Sequence, residues 1–181
     1  MTDEKQVWPV EMDWPTFMRP YRIGQPFFEG MGLRAAIMRI LPIEEGVELP
    51  GANGLRLCRG GYNTENATKL EENRGPCFVL TMNGIVVGGV DRYALWIEPP
   101  FRSKNLAVEL NVVMFQALGP ERWLQNRYTE RGVPQIYTAA GFESRRRAYL
   151  ALVARGFIKA AVNLPEDAFE AHRATRHTEN T

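Results

Sequence analysis

Histidine is almost missing from this chain: of 181 residues only His172 and His177 are histidine, and both lie in a polar C-terminal stretch. That scarcity argues against a Ser-His-Asp or Cys-His hydrolase in the folded core, and against a histidine-ligated zinc centre. Cysteine is equally scarce. Cys58 and Cys77 stand far apart with no Cys-x-x-Cys or Cys/His spacing. They read as reduced, buried thiols of a cytoplasmic protein, not as a disulfide framework. Long apolar runs are absent too, so no transmembrane helix and no membrane partner are expected. The opening residues are polar with no apolar stretch behind them, so no secretory signal is expected. Internal repeats and low-complexity segments are also lacking. The chemistry left to such a chain is that of carboxylate, tyrosine, backbone amide and bound water.

What is present is a globular composition, 45% hydrophobic and 24% charged. It predicts one domain with a sizeable core over residues 1–175, and a disordered tail over 176–181. The net charge of +1 is unevenly spread. Residues 1–100 carry 10 Lys and Arg against 13 Asp and Glu, whereas residues 101–155 carry 9 against 4. A basic second half fits an anionic cofactor. The excess there is too modest to point to nucleic acid.

Trp8, Pro9, Trp14, Pro15, Pro20 and Pro26 punctuate the start, so no long regular element is expected before Gly30. Residues 28–41 read as an amphipathic helix ended by Pro42, with Leu33, Ile37, Ile40 and Leu41 near one face. A loop over 43–54, a strand from Gly54 to Arg59 and a surface excursion over 60–75 follow. Cys77 to Thr81 reads as a strand, Asn83-Gly84 as a hairpin turn, and Ile85 to Glu98 as a return strand with a bend or bulge at Gly88-Gly89. A helix from Leu106 to Leu118 is predicted to bury Leu106, Leu110, Val113 and Ala117, and Gly119-Pro120 stops it. Residues 121–134 carry no clear pattern. A short strand from Pro134, a helix over 143–155 closed by Gly156-Phe157, a strand from Ile158 to Val162 and a helix starting at Pro165 complete the order. The order predicts an α/β domain of α+β type: a single mixed, mostly antiparallel sheet flanked by helices.

The segment Arg102, Ser103, Lys104, Asn105, Leu106, Ala107 concentrates the functional signal. It joins a strand-like run, Asp91 to Pro99, to the start of an apolar helix. Strand, tight turn and helix N-terminus make an anion site, because backbone N–H groups point outward there and the helix dipole favours negative charge. Arg102 and Lys104 add cationic side chains. A diphosphate-bearing ligand suits the turn; a plain solvated turn is the competing reading.

Residues 91–110 resemble the core motif of the GNAT superfamily of acyl-CoA N-acyltransferases. The family order is an acidic residue on the fourth strand, a hydrophobic stretch ending in proline, then Arg/Gln-x-x-Gly-x-Gly/Ala and a helix. Here the same order runs Asp91, Leu95, Trp96, Ile97, Glu98 and Pro99, then Arg102, Asn105, Ala107 and Leu110. A second motif places a small residue eight positions before Gly-Phe, matched by Ala148 and Gly156-Phe157. The likeness covers residues 77–162 as a cofactor-binding core and hardly touches the divergent residues 1–75. Two positions depart from the family: Asn105 replaces the first motif glycine, and Leu152 replaces the tyrosine that usually protonates the departing thiolate. Asn is the residue after Gly that best adopts a left-handed backbone.

The resemblance implies an N-acetyltransferase that moves an acetyl or short acyl group from acetyl-CoA (coenzyme A) to a small-molecule or peptide amine by direct attack, without a metal. It implies that the amides of about 103–108 bind the diphosphate and that a strand N–H near Ile97 faces the thioester oxygen. Asp91 is the candidate base, with Glu98 as the alternative; the competing reading of Asp91 is a turn residue pairing with Arg92. Tyr149 is the candidate acid in place of Leu152, or simply a packed helix tyrosine. One of Arg145, Arg146 and Arg147 can reach a 3′-phosphate, since three consecutive helical residues point three ways. Homodimerisation is common in such domains. The rivals are a long-chain acyltransferase related to acyl-homoserine-lactone synthases, a nucleic-acid-binding or modifying module using residues 101–155, and a GNAT-like fold that binds coenzyme A without catalysis.

Overall fold

The run from Leu55 to Tyr62, which buries Leu55, Cys58, Gly60 and Tyr62, builds the longest strand among the described residues, and the rest of a sheet assembles beside it. The computed structural model describes residues 5–18, 21–23, 31–63, 75–92, 94–102, 105–124 and 135–160. The fold is mixed α/β with a mostly antiparallel sheet and accompanying helices. The chain divides into two compact units, one of Phe27–Leu118 and one of Met1–Pro26 with Gly119–Thr181.

The first unit holds helix α2 (Met31–Ile37) and strands β3 (Ile40–Pro42), β4 (Val47–Glu48), β5 (Leu55–Tyr62), β6 (Cys77–Met82), β7 (Ile85–Val90) and β8 (Leu95–Ile97). They form one antiparallel sheet in the order β3-β5-β6-β7-β8, with β4 also paired to β5. The β6–β7 hairpin turns on Asn83 (φ 51°) and Gly84 (φ 78°), both left-handed as a tight hairpin of this kind requires. Helix α2 packs over β7 and β8. Beneath it Ile37, Ile40, Cys58, Tyr62, Cys77 and Val79 form a core cluster, with Val86, Ala94 and Trp96 against it. Gly89 sits in this layer because β6 runs so close that an added Cβ would stand 2.6 Å from the Phe78 carbonyl oxygen.

Helix α3 (Leu106–Leu124) is interrupted at Gly119 (φ 73°, ψ 166°), with Pro120 behind it, so the expected stop is present. Its buried positions are Leu106, Val108, Leu110, Asn111, Val112, Met114, Phe115 and Leu118. They encircle the helix, which is why the predicted stripe through Val113 and Ala117 chose the wrong pair: Val113 is half-buried and Ala117 exposed.

The second unit holds β1 (Val10–Glu11), α1 (Trp14–Met18), β2 (Tyr21–Ile23), β9 (Gln135–Tyr137), α4 (Ala139–Ala154) and β10 (Ile158–Lys159). Asp13 caps α1, its carboxylate accepting the Thr16 N–H at 2.8 Å. Parallel ladders join β1 to β10 and β2 to β9. The described strands therefore fall into three sheets, where one mixed sheet was expected.

Other expectations are corrected locally. Residues 40–42, read as the end of a helix, form β3, because pairing with Gly60–Tyr62 satisfies their backbone in the sheet. The return strand is not one bent run to Glu98; it folds back at residues 91–94 into β8. Helix α4 begins at Ala139, four residues before the expected start, because the Thr138 hydroxyl accepts the Gly141 N–H at 3.0 Å. Its end is as expected: Gly156 takes φ 76°, and the Phe157 N–H reaches back to the Leu152 carbonyl at 2.9 Å. The expectations for residues 64–74, 125–134 and 161–181 lie outside the described residues.

Candidate functional site

Hydrogen-bond parity along β8 determines which backbone groups are available. The Asp91 N–H donates to Ala94 O at 2.9 Å and the Glu98 N–H to Val87 O at 2.8 Å. Between them the register runs Val90 to Leu95, Gly89 to Trp96 and Gly88 to Ile97. Antiparallel pairs alternate, so the N–H and C=O of Leu95 and Ile97 point away from β7. Among the described residues β8 is the last strand of its sheet, so the Ile97 N–H faces away from the strands paired there. The Ile97 carbonyl is taken by Arg102, whose Nε donates to it at 2.8 Å. The same guanidinium lies 4.6 Å from the Trp96 ring centroid.

A 3-10 turn over Pro99–Phe101 carries the chain to Arg102, with the Phe101 N–H on Glu98 O and the Arg102 N–H on Pro99 O. Asn105 adopts φ 57°, the left-handed conformation expected of it. Its carbonyl starts α3 by accepting from the N–H groups of Val108 (3.0 Å) and Glu109 (3.2 Å). The amide of Val108 is therefore already engaged, and the expected cradle of 103–108 narrows at its C-terminal end. The amides of Leu106 and Ala107 belong to the first turn, where a helix offers no internal acceptor. Glu109 is an acidic residue in that first turn and shares the field of the dipole. Ser103 and Lys104 lie outside the described residues.

Asp91 stands at the corner where β7 turns into β8 and is 3% exposed. Its Oδ1 accepts the Ala94 N–H at 2.8 Å, and its Oδ2 accepts the Tyr62 hydroxyl at 3.3 Å. Glu98 continues beyond β8 and is paired with Arg34 of α2 at 2.7 Å, with its side chain 20% exposed. The indole N–H of Trp96 is buried and has no acceptor among the described residues.

Tyr149 belongs to the second unit. It is 2% exposed, and its hydroxyl donates to Met12 O at 2.8 Å. Burial, and secondarily the Asp13 carboxylate, push its pKa up to about 12. To act as an acid it would first have to leave the Met12 carbonyl. Leu152, at the position of the family tyrosine, is fully buried. The three arginines do point three ways. Arg145 lies 4.0 Å above the Trp123 ring, Arg146 is buried and pairs through Nε with Glu143 at 2.9 Å, and Arg147 is exposed.

Tyr62, Arg34 and the Trp96 indole were missed in the sequence. Tyr62 was hidden because Gly60-Gly61 reads as the end of a strand that in fact runs through both. Among the described residues no group of three His, Cys, Asp or Glu side chains gathers as a metal site, and no helix is long and apolar enough to cross a membrane. Comparison of the chain with family profiles, curated proteins and solved structures finds no match.

Proposed function

We propose that this chain is an acyl-CoA-dependent N-acyltransferase of GNAT type, moving an acetyl or short acyl group to an amine. The observation that carries the reading is the sequence of donors in the Phe27–Leu118 unit. An Ile97 N–H facing away from the paired strands is followed by Arg102, a left-handed Asn105 and the first-turn amides of Leu106 and Ala107. The amides and the cations of Arg102 and Lys104 suit a diphosphate. The Ile97 N–H suits an oxyanion, a role in which one donor is worth about a hundredfold in rate.

In the reaction the acceptor arrives as an ammonium and first loses a proton to a carboxylate, with Asp91 as the base. The nitrogen lone pair then attacks the thioester carbon, the C–S bond breaks with coenzyme A leaving as the thiolate, and the second nitrogen proton passes to that sulfur or to water, leaving the amide. A thiol pKa of about 8.5 lets that group depart without a tyrosine donor. Glu98 is the second candidate base, favoured by its greater exposure and its place next to Ile97. The acceptor is a primary amine of a small molecule or peptide.

The test is thermal unfolding with acetyl-CoA, desulfo-CoA and a long-chain acyl-CoA. Ligand at 100 times its Kd adds about 2.7 kcal/mol, a shift of a few degrees. A shift lost in R102E and N105E supports the reading. No shift with any of the three overturns it, and salt-dependent nucleic-acid binding is then measured.

A further inference from the structure

Tyr62, at the end of β5, and Asp91, just past the end of β7, lie 29 positions apart, and β6 runs between those two strands. The register brings them together. Gly60 stands opposite Cys77, and Phe78 stands opposite Val90, so the end of β5 and the corner after β7 reach the same end of β6. The Tyr62 ring is held in the apolar cluster of Ile37, Ile40, Cys58, Cys77 and Val79, with Ala94 and Trp96 against it. From that anchored ring the hydroxyl donates to Asp91 Oδ2, while the backbone of Ala94 donates to Oδ1. A turn and a distant strand thus each hold one oxygen of the same buried carboxylate.

We propose that Tyr62 is a positioning residue for Asp91, a role that rests on the acyl-transfer reading above. Its hydroxyl sets the rotation of the carboxylate, so the proton acceptor is presented in one orientation. The tyrosine keeps its own proton; the proton taken from the amine ends on Asp91. The other titratable and charged groups on the elements packed here are Cys58 on β5, Cys77 on β6, Arg92 in the turn, and the Arg34–Glu98 pair linking α2 to the end of β8.

Tyr62→Phe keeps the anchored ring and deletes only the donor. Two readouts are taken on the full chain: the Asp91 carboxyl carbon titrated by NMR, and the pH profile of acetyl transfer from acetyl-CoA to tyramine and spermidine as probe amines. Loss of a hydrogen bond to the charged form moves the Asp91 titration to higher pH. The acidic limb of kcat/KM moves with it, and kcat at neutral pH falls about tenfold while KM for acetyl-CoA stays unchanged. Asp91→Asn abolishes the limb. An unchanged Asp91 titration in Tyr62→Phe overturns the proposal whether or not the wild type is active. An active wild type whose pH profile is the same in Tyr62→Phe overturns it as well. A wild type that binds no acyl-CoA and transfers no acetyl group fails the acyl-transfer reading and the positioning role with it, while the titration alone then reports the Tyr62–Asp91 link as a structural bond.

Discussion

The Tyr149 hydroxyl and the Met12 carbonyl oxygen stand 2.8 Å apart, joining α4 to the segment just ahead of α1 across 137 residues of chain. Neither partner is exposed, so each would lose water without the other. This contact ties together sequence from the two ends of the chain in a single buried bond.

Tyr149→Phe is expected to destabilise the protein by about 1–2 kcal/mol, because the Met12 carbonyl is left without its donor. The same pair makes stability depend on alkaline pH. A tyrosine whose folded pKa is raised from 10.0 to about 12 binds more proton when folded than when unfolded between those values. Its contribution is fully present below about pH 10 and is lost as pH rises toward 12. Urea titrations at pH 9 and pH 11 should show a larger drop for wild type than for Tyr149→Phe.

Asn105→Gly should fold at least as well as wild type and keep its acyl-CoA response, because glycine adopts φ 57° without a Cβ penalty. Asn105→Val should cost about 1–2 kcal/mol and weaken the response, since a β-branched residue is strained there. Differential scanning fluorimetry of both variants, with and without acetyl-CoA, checks the pair. A valine variant with an undiminished shift would remove this turn from the cofactor site.

Gly89→Ala is expected to lower stability by about 1–3 kcal/mol. The new methyl would lie 2.6 Å from the Phe78 carbonyl oxygen and 3.1 Å from Ile37 Cγ2, so β7 must shift away from β6 or α2 must lift. Gly84→Ala meets no neighbouring atom, yet its φ of 78° makes it unfavourable by the backbone alone. Chemical denaturation of the two variants separates crowding from backbone strain.

Glu143→Ala should destabilise by about 1 kcal/mol, because Arg146 Nε loses the charge-assisted hydrogen bond it donates to Glu143 at 2.9 Å, and the glutamate end of that bond is partly solvated. Arg146→Met and the double variant complete the set. A double-mutant cycle in urea measures the coupling.

Local signals were the legible part of the fold. Asn83-Gly84 announced its hairpin, Gly156-Phe157 its helix end, and Asn105 its left-handed turn, each because a few adjacent residues decide the geometry. What the sequence concealed depends on partners far along the chain. Ile40 and Leu41 continue the helix-face spacing of Leu33 and Ile37 up to the stop at Pro42, and only the register with Gly60–Tyr62 makes Ile40–Pro42 a strand. Tyr62 gains its meaning from Asp91 through an intervening strand. Thr138 to Ala140 read as the last part of a strand from Pro134, and the Thr138 hydroxyl bond to Gly141 makes Thr138 the cap of a helix instead. Within the candidate site, the turn and the helix start were readable, whereas the outward direction of the Ile97 amide required the pairing pattern of β7 and β8.

The parallel ladders of β1 with β10 and β2 with β9 carry a consequence for biosynthesis. As the chain emerges from the ribosome, the strands of the Phe27–Leu118 unit meet one another early, each close in order to its neighbours. Val10 and Glu11 must wait until Ile158 and Lys159 have been made. Throughout that interval Trp8, Trp14 and Phe17 lack their ring contacts with Phe157, Phe142 and Tyr149, so this apolar segment stays open to holdase chaperones and proteases after the strands of the other unit have paired.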